Sequence, residues 1–239
     1  MSPKGLEHAE RAELLIDKSP LLRNVYEGKE GVHEEYELER RYLPTRLLSE
    51  RELAKYKKLE IEQTYIFAQD VKGRERTFRL RRTWEESGGK HEGLLLRVAH
   101  KAKIADSDAR NERQQRFSEF SPEADEFRRL WARREWEPLR KRRYYIPLPL
   151  PNGSECEIHY DVHPFWPLEG FVRIEIEFRN AGDERYVRKN GRDGILPDWI
   201  GEDVTKDEHY GGKALAKDGM PPGSEELMEK LRKNAVGAR

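Results

Sequence analysis

Apolar and polar residues alternate with a period of two along eight stretches of the chain, roughly residues 34–43, 60–69, 76–84, 93–103, 110–119, 140–148, 155–163 and 171–179. That period puts successive side chains on opposite faces, so each stretch reads as a β-strand with one apolar and one polar face. Turn residues support the breaks. Gly88-Gly89 separates the third and fourth stretches, and Asn152-Gly153 separates the sixth and seventh. The second pair is a strong hairpin signal because both residues tolerate positive φ. Eight short strands of this kind predict a barrel or a sandwich rather than an open sheet.

Helices interrupt the strands. Ser49 with Glu52 reads as a capping box that opens a helix running to about Lys57. Ser121-Pro122 reads as an N-cap followed by a first-turn proline. The helix after it places Phe127, Leu130, Trp131 and Arg134 near one face. Ser224 is expected to cap a last short helix carrying Leu227, Met228 and Leu231. Residues 1–33 read as an extension with weak helical character over Ala9–Ile16, residues 34–220 as one domain, and residues 221–239 as a C-terminal helix and tail. A long loop, of about 17 residues, is expected after residue 179.

Composition sharpens this picture. Charged residues make up 38% of the 239 and hydrophobic residues 36%. So much charge would suit a disordered chain, but five Trp, ten Tyr and eight Phe spread through periodic segments argue for a folded core. Lys plus Arg and Asp plus Glu balance at 46 each, so no global field draws the protein to nucleic acid. The single cysteine, Cys156, excludes an internal disulfide and a multi-cysteine zinc site. No run of 18 apolar residues and no signal-peptide layout is present, so no membrane contact and a cytoplasmic location are expected.

The charges are not scattered. Glu35, Glu37, Glu39 and Arg41 share one face of the first strand. Arg79 and Arg81 lie opposite Phe78 and Leu80; Arg97 and Lys101 lie opposite Leu94, Leu96 and Val98. Lys141 and Arg143 lie together, as do His159, Asp161 and His163. Arg173, Glu175 and Glu177 face away from Val172, Ile174, Ile176 and Phe178. Alternation alone leaves two readings, a solvated outer face or a shared lumen. Sorting by sign favours the lumen: acids dominate the first and last strands, bases the middle ones. Helices with apolar sides are available to cover the other face. A charged lumen needs partners. Arginine and lysine rows suit phosphate oxygens, and carboxylate rows suit Mg²⁺ or Mn²⁺.

These rows resemble the signatures of the CYTH superfamily, the triphosphate tunnel metalloenzymes. Glu37-Leu38-Glu39-Arg40-Arg41 is similar to its E-x-E-x-K motif, and Gln63-Thr64-Tyr65 to its Q-x-Y. Phe78-Arg79-Leu80-Arg81 resembles its R-x-R strand and Lys141-Arg142-Arg143-Tyr144 its K-x-R-Y strand. Asp161, then Glu175-Ile176-Glu177, resemble its D and E-x-E strands, and residues 198–205 its W-L-G-x-E-V-T segment. The resemblance implies an α+β, mainly β fold, an eight-stranded antiparallel closed β-barrel with helices outside. It implies metal-dependent hydrolysis of a small-molecule triphosphate with Mg²⁺ or Mn²⁺. Carried over by position, the catalytic residues would be Glu37, Glu39, Lys141 and Tyr65. Phosphate would meet Arg41, Arg79, Arg81, Arg97, Lys101, Arg113, Lys141 and Arg143. Metal would meet Glu37, Glu39, Asp161, Glu175 and Glu177.

Three departures stand out. The lysine ending the first motif is Arg41, which keeps its charge but cannot serve as a base. The fourth-strand lysine is matched by Arg97 or Ala99 in one register and Lys101 in another. His159 stands where the family often has an acid, so His159, Asp161 and His163 are an alternative metal set beside the plainer reading as wall residues. Two other functions stay open: a class IV adenylate cyclase-like lyase and a non-catalytic polyanion-binding barrel. A homodimer stays open as the assembly.

Overall fold

The computed structural model describes residues 14–87, 90–103 and 110–237. Ten strands form one antiparallel sheet: β1 (His33–Glu37), β2 (Glu39–Pro44), β3 (Lys57–Gln69), β4 (Glu75–Ser87), β5 (Lys90–Lys103), β6 (Arg110–Ser118), β7 (Leu139–Pro149), β8 (Glu155–Val162), β9 (Val172–Glu177) and β10 (Ile200–Asp203). Their order across the sheet is β1-β6-β5-β4-β3-β7-β8-β9-β2-β10.

The closed eight-stranded barrel is therefore not the architecture. The sheet is open, with β1 and β10 at its edges. Two features overturn the expectation. The first stretch is two strands, parted at Leu38: β1 pairs with β6 while β2 pairs with β9. Ile200–Asp203 then adds a further strand beside β2, an element that four residues of weak alternation do not reveal. Because Leu38 alone joins an edge strand to the ninth position of the order, the sheet must curl. Leu38 marks the junction, its carbonyl accepting from the Phe178 amide at 2.9 Å.

The apolar face of the sheet is turned outward beneath helices. Phe78, Leu80, Leu96, Val98 and Phe117 pack with α1 (Pro20–Glu27) and α3 (Glu123–Ala132) in one cluster. Ile158, Tyr160, Ile174 and Ile176 pack in a second, which takes in Met228 and Leu231 of α6 (Ser224–Gly237). Each buried Leu, Ile or Phe side chain contributes about 1.5–3 kcal/mol of transfer free energy, so the apolar rows decide which way the sheet curls.

Local signals hold where their chemistry is self-contained. Ser49 and Glu52 form both bonds of the capping box, on a single turn, α2 (Glu50–Leu53). The β7–β8 hairpin turns at Asn152-Gly153, with Gly153 at φ +83°. The Gly88-Gly89 turn lies outside the described residues. Ser121 does not cap α3: its hydroxyl is buried without a partner. Of the Ala9–Ile16 stretch, residues 9–13 lie outside the described residues; the first α-helix among the described residues is α1, capped by Ser19. The long loop after residue 179 is mostly α4 (Ala181–Asn190), opened by the Asn180 side chain, which accepts from the Gly182 and Asp183 amides. Its low hydropathy hid it. Among the described residues no helix is long and apolar enough to cross a membrane.

Candidate functional site

The polar face curls around a cavity of about 1270 Å³. Side chains from β1 to β9 and from α5 (Gly212–Asp218) line it. Arginines and lysines outnumber carboxylates on its wall fourteen to eight. The cavity takes in Glu37, Glu39, Arg41, Tyr65, Arg79, Arg81, Arg97, Lys101, Lys141, Arg143, Glu175 and Glu177, which the sequence singled out. The charged rows thus converge, and they do so because the opposite row on each strand is apolar and covered.

Two expected residues lie elsewhere. Arg113 does not face the cavity. On β6 the inward residues are Arg110, Glu112, Gln114 and Arg116, so Arg113 falls on the other face by parity. It donates to the Tyr26 carbonyl at 2.8 Å and pairs with Glu34 at 3.1 Å. Asp161 is fully buried behind the wall. Lys141 donates to it at 2.6 Å, and Arg143 donates to both of its oxygens, at 2.6 and 2.8 Å. Its valences are filled, so it anchors two cavity cations rather than offering a ligand. His163 is also withdrawn, with Nδ1 3.1 Å from the Arg140 carbonyl and its ring against Phe171.

The wall divides into a cationic part and an acidic part. On β4–β6, Arg81 sits directly opposite Arg97, and Arg97 directly opposite Arg116. Like charges placed so are mutually destabilising. Arg79 is neutralised by Glu112, accepting 2.8 Å bonds at both oxygens. Arg81 reaches only the Gln63 amide oxygen, at 2.9 Å, and Arg97 has no hydrogen-bond or ion-pair partner among the described residues. The Nε atoms of both are buried and unpartnered. Burial, with Arg79 and Arg143 nearby, lowers Arg81 to about 10. Burial, with Arg81 and Arg116 nearby, lowers Arg97 to about 9. These shifts report uncompensated cations. Lys101 bridges Glu37 and Glu112.

On β2, β8 and β9 the sign reverses. Glu39 sits opposite Glu177, and Glu177 opposite Glu157. The next rung is Arg41, Glu175 and His159. Arg41 donates to Glu39 at 2.8 and 3.2 Å, and Glu175 is held by Arg143 and Arg173. Burial pushes Glu39 up, but Lys101 and Arg41 hold it down at about 2. Glu37 behaves oppositely: burial outweighs Lys101 and lifts it to about 7. Burial and Arg143 also bring Lys141 down to about 7.

Tyr65 lines the cavity, its hydroxyl accepting from Gln63 Nε2 at 2.8 Å while burial raises its pKa. A Cβ at Gly212 would lie 2.7 Å from that hydroxyl, so only glycine lets α5 approach here. Sequence reasoning missed Glu112, Arg116 and Glu157. Strict parity on β6 and β8 would have found all three.

Glu157, His159 and Glu177 each offer one ligand atom within 4.8 Å of the others. Hard divalent cations such as Mg²⁺ and Mn²⁺ favour the carboxylate oxygens of such a set.

No family model matches the chain, and no curated protein matches it. Among solved structures, the PH1819 protein from Pyrococcus horikoshii OT3 aligns over 69% of this chain and 93% of its own, at 16% identity and a TM-score of 0.42, a likeness that carries no argument about fold or function.

Proposed function

We propose that the protein hydrolyses a triphosphate, inorganic or carried on a small organic group, in this cavity with the help of Mg²⁺ or Mn²⁺. One observation carries the reading. Arg81 and Arg97 are cations without carboxylate partners, set in the same cavity as Glu157 and Glu177, carboxylates without a guanidinium partner among the described residues. A pure anion binder gains nothing from the second feature, and a pure metal site gains nothing from the first. A polyanion that arrives with a divalent cation satisfies both. The motif resemblance to triphosphate tunnel metalloenzymes points the same way.

In the reaction a water oxygen attacks the terminal phosphorus and the bond to the bridging oxygen breaks. That oxygen leaves with the remaining phosphates, and the water gives up a proton. Arg81 and Arg97 bind the phosphate oxygens, on which charge spreads in the transition state. Arg79 and Lys101, already paired, orient the chain. Glu37, with a pKa near neutrality, is the carboxylate matched to take the proton. Lys141 steadies the leaving oxygen. Glu39, Glu157 and Glu177 would hold the metal, which supplies charge neutralisation and Lewis acidity when bound.

Phosphate release from inorganic triphosphate, ATP and thiamine triphosphate, with Mg²⁺ or Mn²⁺, tests this directly. Turnover of at least one, reduced by about 10²-fold or more in Glu37→Gln, is the expected result. Cyclic AMP and pyrophosphate from ATP would make the protein a lyase. Tight triphosphate binding without turnover would make it a binder.

A further inference from the structure

A second cavity, of about 360 Å³, opens on the outer face of the sheet beside the last turn of α1. Among the described residues, Tyr26, Arg76, His100, Ala102, Asn111 and Arg113 line it. The register explains its shape. His100 lies opposite Arg113 and Ala102 opposite Asn111, while Arg76 stands one outward position along β4 from Phe78, the residue opposite His100. Ala102 has only a methyl group to fill the space between its neighbours, so the floor stays open. The lining carries two guanidiniums, one imidazole and no carboxylate. The carboxylates sit behind it. Asp70 accepts from Nε and Nη2 of Arg76, at 3.2 and 3.1 Å, and from Arg74 at 2.8 Å; Glu34 accepts from Arg113 Nε at 3.1 Å and from Asn111. Three guanidiniums thus meet two carboxylates, and Nη1 of Arg76 and Nη2 of Arg113 are committed to neither. His100 Nδ1 lies 3.1 Å from the Thr77 carbonyl, so Nδ1 carries the ring proton and Nε2 is left to take a second. The groups that face the ring are Tyr26 from α1, Arg76 and Phe78 from β4, and Arg113 from β6. Burial, followed by the Arg76 and Arg113 charges, holds the His100 pKa below its ordinary value, with the Thr77 bond opposing them.

We propose that this outer cavity takes a phosphate group, free or at the end of a small ester, between Arg76 and Arg113, and that His100 gains a proton as the group binds. The strands of the two arginines are two spacings, about 10 Å, apart, with His100 on the strand between them. Donors that converge from three positions suit a tetrahedral oxyanion, whereas a flat carboxylate is fully met by a single guanidinium fork. The bound anion reverses the field at His100. An opposite charge nearby favours the imidazolium, and the second ring proton adds a charge-assisted bond to a phosphate oxygen. Asp70 and Glu34, behind the lining, hold the two arginines in place for this without occupying the cavity. The site lies on the opposite face of the sheet from the charged inner cavity, and it goes beyond the hydrolysis proposed there.

Nuclear magnetic resonance of the histidine rings in the full chain tests this, with inorganic phosphate or glycerol phosphate compared against chloride at equal ionic strength. His100, assigned by the loss of its signal in His100→Gln, is expected to titrate about one pH unit higher with the phosphate ligand, equivalent to about tenfold tighter binding to the protonated ring. Ala102→Phe, at an exposed position, fills the floor without changing any charge and should cancel the rise. Arg76→Met should cancel it too; should that variant fail to fold, Ala102→Phe still decides. Arg81→Met/Arg97→Met, in the inner cavity, should keep it. A larger rise with the ester than with the free ion would identify an ester as the ligand, and the reverse the free ion. A His100 midpoint that neither ligand moves, or one that moves equally in Ala102→Phe, would overturn the proposal. No turnover is read, so this site and the triphosphatase reading stand or fall separately.

Discussion

The two parts of the cavity wall handle buried charge in different ways. On the inward face of β7–β9, Asp161 and Glu175 are enclosed by Lys141, Arg143 and Arg173, so charges are matched within the protein. On β4–β6, Arg81, Arg97 and Arg116 stand in a row across three strands; Arg116 is matched by Glu35, Arg79 by Glu112 and Lys101 by Glu37 and Glu112, while Arg81 and Arg97 have no carboxylate partner among the described residues. Matched charge is structural: it holds side chains in place and loses stability when one partner goes. Unmatched charge stands ready for something outside the chain. The teaching is that a functional wall is recognised less by having charge than by leaving it uncompensated.

Breaking the matched side should have the largest effect. Arg143→Met leaves buried Asp161 with Lys141 and Arg173 alone and buried Glu175 with Arg173 alone, and urea unfolding is expected to show a loss of about 3–5 kcal/mol. An undiminished unfolding free energy would mean these pairs do not stabilise the fold. On the unmatched side the expectation inverts. Arg97→Met removes an uncompensated cation, so the ligand-free protein should unfold at the same temperature or higher. Inorganic triphosphate should meanwhile bind more weakly by about 1.5–3 kcal/mol, the usual contribution of hydrogen bonds to a charged group. A variant destabilised like Arg143→Met would erase the distinction between the two parts.

The smallest effect sharpens the boundary between them, where Glu37 meets Lys101. Folded, Glu37 keeps its proton up to about pH 7, against about 4.5 when exposed. The native state therefore binds more protons across that window, and stability falls as pH rises through it. Glu37→Gln removes this slope. Subtracting the variant's pH–stability curve from the wild-type curve should leave a difference that declines between about pH 4.5 and 7 and is flat above. A flat difference throughout would show that Glu37 ionises as an ordinary surface carboxylate.

Much of this site was legible in the chain, and the reasons are physical. Period-two alternation identifies which residues share a face, so Arg79 with Arg81, Lys141 with Arg143 and Glu175 with Glu177 were grouped correctly. Large apolar residues on the alternate positions fixed which face turns outward. Arg113, implied by the resemblance, falls on the other face because its parity on β6 is opposite to that of Arg110, Glu112, Gln114 and Arg116. Asp161 has the right parity and lines up with the charged row, yet sequence gives no depth, and depth is what turned a possible ligand into an anchor. The open sheet was not legible either. A break at Leu38 and a short added strand at Ile200–Asp203 depend on pairing partners distant in sequence, which no local pattern encodes.

The central claim is that the unmatched arginines receive triphosphate oxygens. Calorimetric titration of inorganic triphosphate into metal-free wild type and an Arg81→Met/Arg97→Met double variant tests it most directly. Saturable binding to the wild type, lost in a double variant that keeps its folded stability, is the result this account requires. Equal affinity in both proteins, or no binding to the wild type, would contradict it.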